Sequence, residues 1–420
     1  MRTLFRNRNF SLLFFGNLVS SIGNTFYNFA ISWYILELTG SALQAGTYMA
    51  MGGVIYIIMA PFAGVITDRF DKVKIVFLTD FIRGIAIVLA GIGVGLNLET
   101  SSTLLILYAA TIILSINGTL FQPAVSSLQA DVLKESDYQS ANATMSLIRS
   151  VEGIIGILLA GILYSVLGVS WIFIINGISF ILSGISEMFI NFKYEDKGKL
   201  SWKQGIEDLL DGFQYLAKKQ GLLRLMVSIL LINFAFIPMF ANVLPFMFNQ
   251  QLQATPFEFS VVQLSMSVGI LLSAILISNL KVQLQPRKTL FTGLSLMIII
   301  YFVMTGSMYL IINNEISFVF FWIIASTLMF LFGVVNIFVN TPISTSFMKT
   351  IEPAYRGRSN ATISVMSLAL MPLATFLGGV LIELGSVLYV GFFGSGLLLL
   401  LWLFFSQDKK IRSYLEVVSS

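Results

Sequence analysis

The chain of 420 residues is 56% hydrophobic and only 11% charged, where a water-soluble domain carries about 25% charged residues, so most of its surface is kept from water. Its net charge of +4 is the basic excess that topology and anionic lipid impose on membrane proteins, and no nucleic-acid partner is expected. With no cysteine and no histidine there is no disulfide framework and no thiolate or imidazole metal site. No metal or other cofactor is expected, no enzymatic constellation is present, and proton chemistry falls to carboxylates.

Apolar runs of roughly 20 residues, enough to cross a hydrocarbon layer of about 30 Å, predict twelve spans. The opening "MRTLFRNRNF" lacks a cleavage site after a short apolar core and is read as a retained basic tail. The first span, 10–37, carries Asn17, Ser21, Asn24, Asn28 and Ser32 at spacings of three and four, a polar stripe on one helical face. Such a stripe either lines a water-filled cavity or bonds to a neighbouring helix, and beside Tyr27 and Trp33 it is read as lining the substrate cavity. The second span, 43–66, is followed by "GVITDRFDKVKI", Gly64 to Ile75. In the third, 75–96, Asp80 and Arg83 form an i,i+3 pair read as an interfacial brace, although Asp80 stays among the candidates for proton coupling. "GIGVG" at Gly91–Gly95 lies within this apolar span and is no dinucleotide site. The fourth, 102–127, offers Asn117 and Gln122 to the same cavity.

The fifth span, 140–166, contains "SLIRSVEGIIG". At about 1.5 Å per residue, Arg149 and Glu152 lie roughly 14 and 18 Å along it, where a lone charge costs about 3 kcal/mol. Their i,i+3 spacing lets them pair, burial disfavours the carboxylate charge and the arginine favours it. Two readings stand: Glu152 is the coupling carboxylate with Arg149 its tuner, or the two are a permanent pair that orients the span. The sixth span, 169–191, ends at Glu187, read like Asp80 as interfacial.

The longest polar connector, 193–221, places Trp202, Ile206, Leu209, Leu210, Phe213 and Leu216 on one face. Ser201 and Gln204 have capping-box spacing. This predicts an amphipathic helix on the inner membrane surface, with Lys218 and Lys219 toward lipid phosphates. The seventh span, 222–248, adds Asn233, Phe236, Met239, Phe240 and Asn242 to the cavity. The eighth, 257–280, follows a Thr255–Glu258 capping box, the ninth is 289–312, and the tenth, 316–340, carries Asn336 and Asn340. The eleventh and twelfth are 359–383 and 386–406.

The chain also contains its own copy. "QPAVSSLQADVLKESDYQSANATMSLIRS" from Gln122 aligns with "TPISTSFMKTIEPAYRGRSNATISVMSLA" from Thr341, matching Pro123 to Pro342, Asn117 to Asn336, Asn142 to Asn360 and, after one gap, Gly161 to Gly379. Six spans per copy keep both in one orientation, a parallel repeat. Outside the spans Lys and Arg fall on one side, which places both termini in the cytoplasm and leaves the sequons at Asn142 and Asn360 unmodified.

The loop from Gly64 resembles the signature of the major facilitator superfamily at Gly64, Asp68, Arg69 and Lys72. Asp71 stands where the pattern has glycine and Val73 where it has a second basic residue. "NFSLLFFGNLVSSIGNTFYNFAISWYILELTGSALQAG" and "TDFIRGIAIVLAGIG" are similar to bacterial macrolide-efflux-type drug:proton antiporters, over essentially the whole chain. The resemblance implies export of amphipathic compounds by proton antiport. It also implies a conformational gate in which Asp68 meets the inner end of the eleventh span near Ser359 and Asn360, and Lys72 pairs with Asp131. The exporters' fifth-span Gly-Pro-x-x-Gly-Gly is reduced here to "GILLAG" at Gly156–Gly161, without its proline.

The expected fold is an all-α polytopic membrane protein, with twelve transmembrane helices in two parallel-repeat six-helix bundles of the major facilitator kind. Residues 1–192 form the first bundle, 193–221 the connector, and 222–420 the second bundle with a cytoplasmic tail. The expected function is secondary active export of amphipathic small molecules from a bacterial cytoplasmic membrane. Protons and membrane lipids are the other partners and the chain acts as a monomer. A non-transporting sensor or assembly protein on the same fold, or an exporter of lipid or siderophore, remains the alternative.

Overall fold

The structure is a computed structural model that describes residues 4–192, 202–280, 285–352 and 356–419. Ser201 of the proposed connector cap lies outside them. Every long element is a helix, since in hydrocarbon each backbone amide must find its partner within its own segment. Among the described residues, eleven segments are long and apolar enough to cross a membrane. The helix α1 (Arg8–Thr39) precedes them; its 32 residues are ample for a span, and its asparagines and serines dilute its apolar character. Together these account for the twelve expected spans.

Three further helices, α2 (Ala42–Arg69), α3 (Lys72–Gly95) and α4 (Thr100–Val132), follow α1. The fifth span is broken: α5 (Tyr138–Val151) runs into a π-helical turn, Glu152–Gly156, before α6 (Ile157–Leu167). Gly168, at φ 77°, turns the chain into α7 (Val169–Met188), a left-handed conformation that suits glycine. The chain divides into two compact units, and the first takes in Met1–Thr39 and Met51–Glu207. Within it α7 packs on both α3 and α1, and α3 on α4. The α3–α7 approach is backbone to backbone: a Cβ on Gly84 would lie 2.8 Å from the Gly177 carbonyl oxygen, and one on Gly177 2.7 Å from that of Gly84.

The second unit comprises Gly40–Ala50 and Asp208–Ser420. It takes in α8 (Trp202–Lys218) from Asp208 onward, then a span made of α9 (Gln220–Pro238) and the short α10 (Leu244–Phe246), interrupted by π-turns at Met239–Val243 and Met247–Gln251. There follow α11 (Pro256–Leu280), α12 (Pro286–Ile312), α13 (Phe318–Thr350), α14 (Arg356–Leu368), α15 (Met371–Leu384), α16 (Val387–Gln407) and α17 (Lys409–Ser419). Thr255 and Glu258 close the capping box on α11, through amide contacts of 2.7 and 3.3 Å. The first residues of α2 belong to this unit: a Cβ on Gly46 would collide with the Thr375 carbonyl oxygen.

Two expectations for the polar segments change. Lys219 does not reach for lipid: its ammonium donates to the Thr350 carbonyl at 2.7 Å and to the Tyr215 hydroxyl at 2.8 Å. A cation at the C-terminal end of α13 satisfies carbonyls the helix leaves bare. Leu216 is fully buried with Leu222, Met226 and Ile351, so the end of α8 is anchored in protein. The expected tail is also structured. In α17, Ile411 and Leu415 are buried and the Tyr414 hydroxyl lies 2.8 Å from Thr350 Oγ1.

Candidate functional site

The polar stripe of α1 lies along the broken fifth span. Asn17 reaches the sulfur of Met145 at 4.0 Å, Ser21 donates to the side-chain oxygen of Asn17 at 3.3 Å, and a Cβ on Gly156 would touch Thr25 at 3.0 Å. Asn24 is half-buried and Asn28 exposed. Tyr27 takes another direction: it is buried with its ring 4.8 Å from that of Phe173 on α7, so it serves the helix contact. Asn117 is mostly buried and returns its amide to the Ile113 carbonyl at 2.8 Å, whereas Gln122 is exposed.

Arg149 and Glu152 do not pair. Arg149 is exposed and donates to Ser146 Oγ at 3.2 Å, while Glu152 is half-buried at the head of the π-turn. The i,i+3 spacing is kept, since the backbone leading from Arg149 to Glu152 is regular α-helix, but the guanidinium turns to Ser146 and the wider turn begins only at Glu152. Such turns recur at functional sites.

Around the signature loop, Lys72 is buried and forms an ion pair with Asp131. Asp71, where the family pattern has glycine, caps α3 by accepting from the amides of Val73 at 3.0 Å and Lys74 at 3.3 Å. A side chain at Gly64 would meet nothing within 4 Å. Arg69 ends α2, and the side chain of Asp68 lies outside the described residues.

Asp80 and Arg83 form an ion pair in the core of the first unit, with Glu187 and Ser183 of α7 beside them, and Asp80 and Glu187 are fully buried. The guanidinium lies over the rings of Phe121 at 4.2 Å and Phe180 at 4.4 Å, a favourable site for a cation with little water.

In the second unit a cavity of about 400 Å³ opens between α9, α12 and α13, a size that suits a small molecule. Asn233 and Phe236 from α9 and Asn336 and Asn340 from α13 line it. Asn340 donates to the side-chain oxygen of Asn336 at 3.0 Å. Phe236, Phe240 and Phe332 form its aromatic wall, with ring centroids 4.7 to 6.4 Å apart. Among the described residues no charged side chain lines it. Met239 and Asn242 do not line it either. Met239 is buried, and Asn242 donates to the Thr375 carbonyl at 3.0 Å, which ties α15 to this span.

Sequence reasoning missed Phe332, Leu294, Met297 and Ile343 in this wall. The signal was present: Phe332, Asn336, Val339, Asn340 and Ile343 recur at helical spacing on one face of α13. In a helix apolar all round, that face does not stand out until its neighbours are known.

Solved structures share the architecture. A bacterial homologue of the iron transporter ferroportin in its inward-facing state superposes with a TM-score of 0.74, at 15% identity over 98% of this chain and 99% of the other. A point mutant of the nucleoside transporter NupG gives 0.72 at 14% identity over 95% and 99%. Macrolide efflux protein A of Streptococcus pyogenes is 26% identical over 372 residues, 88% of each chain, and that of Enterococcus faecalis 25% identical over 79% of this chain and 98% of the other. The uncharacterized MFS-type transporter YkuC of Bacillus subtilis is 28% identical over 56% of this chain and 57% of its own length. The family model of the Major Facilitator Superfamily matches residues 13–375, and the chain belongs to that superfamily of membrane transporters.

Proposed function

We propose that this transporter exports amphipathic small molecules, macrolide-like compounds among them, by proton antiport through alternating access. The setting is a bacterial cytoplasmic membrane with both termini inside, and the chain acts as a monomer. The observation that carries the reading is the second-unit cavity, an aromatic wall facing a few asparagine amides. Apolar surface with sparse hydrogen-bonding groups suits bulky amphipathic ligands whose shapes vary. The likeness to two macrolide efflux proteins along most of the chain supports the cargo class. Asn17, Ser21, Asn24 and Asn28 of α1 are the first unit's contribution to cargo binding. Glu152 is the carboxylate that takes up and releases the proton as its exposure changes, with the charge of Arg149 as a nearby influence. Gly64, Asp68, Arg69, Lys72 and Asp131 act as the conformational gate, the Lys72–Asp131 pair breaking and re-forming during the cycle.

Binding of a panel of macrolides and neutral amphipathic dyes to the purified full chain, followed by fluorescence quenching, tests the cavity. Phe332→Ala is expected to weaken binding by up to about tenfold, near the 1.4 kcal/mol upper range for one aromatic contact. Asn336→Leu is expected to reorder preference within the panel. Unchanged affinities in both variants would place the cargo elsewhere.

A further inference from the structure

One group of ionisable side chains takes no part in the cargo site, the Lys72–Asp131 gate or the Glu152 proton step. Asp80 and Arg83 on α3 and Glu187 on α7 meet in the core of the first unit, and both carboxyl groups have no exposed surface. One cation faces two acids. Arg83 pairs with Asp80, donates from Nε to the Thr79 carbonyl at 3.3 Å, and has its faces covered by Phe121 and Phe180. Ser183 donates to Glu187 Oε1 at 3.2 Å. Asp80 Oδ2 and Glu187 Oε2 remain buried without a hydrogen bond from the described residues, and they stand on two helices, α3 and α7, that pack closely together. Two ionised carboxylates can only accept; one proton between them turns one acid into a donor and satisfies the other.

The remaining charges on the helices that meet here are engaged or distant. On α3, Lys72 pairs with Asp131 of α4 and Lys74 lies 4.0 Å from Asp71. On α1, Arg8 stands at one end of the helix, and Glu37, near the other, accepts from the Tyr164 hydroxyl at 2.6 Å. At the cluster itself α1 presents Gly16, whose Cβ would sit 3.1 Å from Glu187 Oε1, so a glycine leaves the room that the carboxyl fills. The equivalent third and sixth spans of the second unit, α12 and α16, pack through Gly391 and Gly394 against Thr305 and Tyr301, with no ionised side chain at those contacts. Holding such a helix pair together does not require ions.

We propose that Asp80 and Glu187 hold one proton between them against the fixed charge of Arg83. This shared proton is a second coupling site of the transport cycle, retained while α7 is closed on α1 and α3 and released when water reaches the cluster. The inference rests on the antiport reading but places the proton away from Glu152.

Infrared spectra of the full chain in lipid vesicles at neutral pH, in H2O and D2O, test for the proton directly. The carbonyl band of a protonated carboxylic acid is expected in the unmodified chain and shifts in D2O. It is expected to be lost in Glu187→Gln and in Asp80→Asn, where the remaining acid ionises beside Arg83, and to persist in Glu152→Gln. Absence of the band from the unmodified chain, or its survival in both core variants, overturns the proposal without involving any transport measurement. Coupling is read with a labelled macrolide in proton-tight vesicles: Glu187→Gln is expected to lose proton-driven accumulation and keep exchange of labelled for unlabelled macrolide. Undiminished proton-driven accumulation in that variant overturns the coupling role. If the unmodified chain moves the macrolide without regard to the proton gradient, the antiport reading fails, and with it the coupling role, while the infrared result still decides whether the proton is there.

Discussion

Lys72 is almost wholly buried and its partner Asp131 about one third exposed, with side-chain exposures of 10% and 31%. Removing the acid strands an ammonium that water reaches poorly. Asp131→Asn is therefore expected to cost roughly 1–3 kcal/mol, between the exposed and buried limits for ion pairs. A cycle with Lys72→Met measures it; additivity of the two changes would show that the pair carries no energy. Asp71 permits a finer test, because its carboxylate caps α3. Asp71→Ala is expected to cost about 1 kcal/mol and Asp71→Gly, which restores the family residue, only a few tenths. Equal losses in thermal unfolding would contradict the cap. The Lys72–Asp131 pair was legible through the likeness of the loop to the family signature, whereas Asp71 stood out only as a departure from that pattern and its cap on α3 was not foreseen. Nor was the non-pairing of Arg149 and Glu152, because i,i+3 spacing allows a pair without requiring it, and Arg149 donates to Ser146 instead.

At the scale of helices, small residues set the distances. A side chain on Gly177 would press on the Gly84 carbonyl and on Val88, whose amide nitrogen and Cγ2 would lie at 2.9 and 2.5 Å. Gly177→Val is expected to lower the stability of the first unit by about 1–3 kcal/mol, the cost of overpacking, measured by thermal unfolding in detergent. A neutral result would mean that α7 can move away freely. The docking of α17 has a pH signature. Burial opposes the charge of Asp408, but Arg224 at 2.5 Å and the amides of Ile411 and Lys410 outweigh it and hold this carboxyl below the usual range. A depressed carboxyl stabilises the docked helix fully above its unfolded value, near pH 4, and ceases to do so as pH falls through the folded value. Hydrogen exchange in α17 is thus expected to stay slow at neutral pH and to rise only in acid, whereas Asp408→Asn is expected to raise it at neutral pH. The helix was hidden in the sequence because eleven residues after the last span look like a tail; what fixes them is contact with α9, α12 and α13.

At the scale of the molecule, the twofold repeat read from Pro123 and Pro342 reappears as two helical units, and the interruptions correspond. The π-turn at Glu152 in the first half aligns with the break between α14 and α15 in the second. Broken spans at matching repeat positions are where transporters place binding groups. Composition and the repeat made the fold legible, since hydrocarbon admits little besides helices. The cavity was half legible: amides inside a span announce themselves, as Asn233, Asn336 and Asn340 did, but Phe332 is one of 37 phenylalanines and only its neighbours single it out. The two halves have diverged in their ionisable groups: Asp80, Arg83 and Glu187 lie in the core of the first, and among the described residues no charged side chain lines the cavity of the second. This division suits the proposed cycle, in which carboxyl groups of the first half carry protons while cargo meets the second-half cavity and the polar stripe of α1. Uptake of a labelled macrolide into inside-out vesicles carrying the purified chain, with and without an imposed proton gradient, bears on that account most directly. Accumulation that appears with the gradient, collapses with a protonophore and reverses when the gradient is reversed is the expected result; uptake indifferent to the gradient, or none across a broad amphipathic panel, would contradict it.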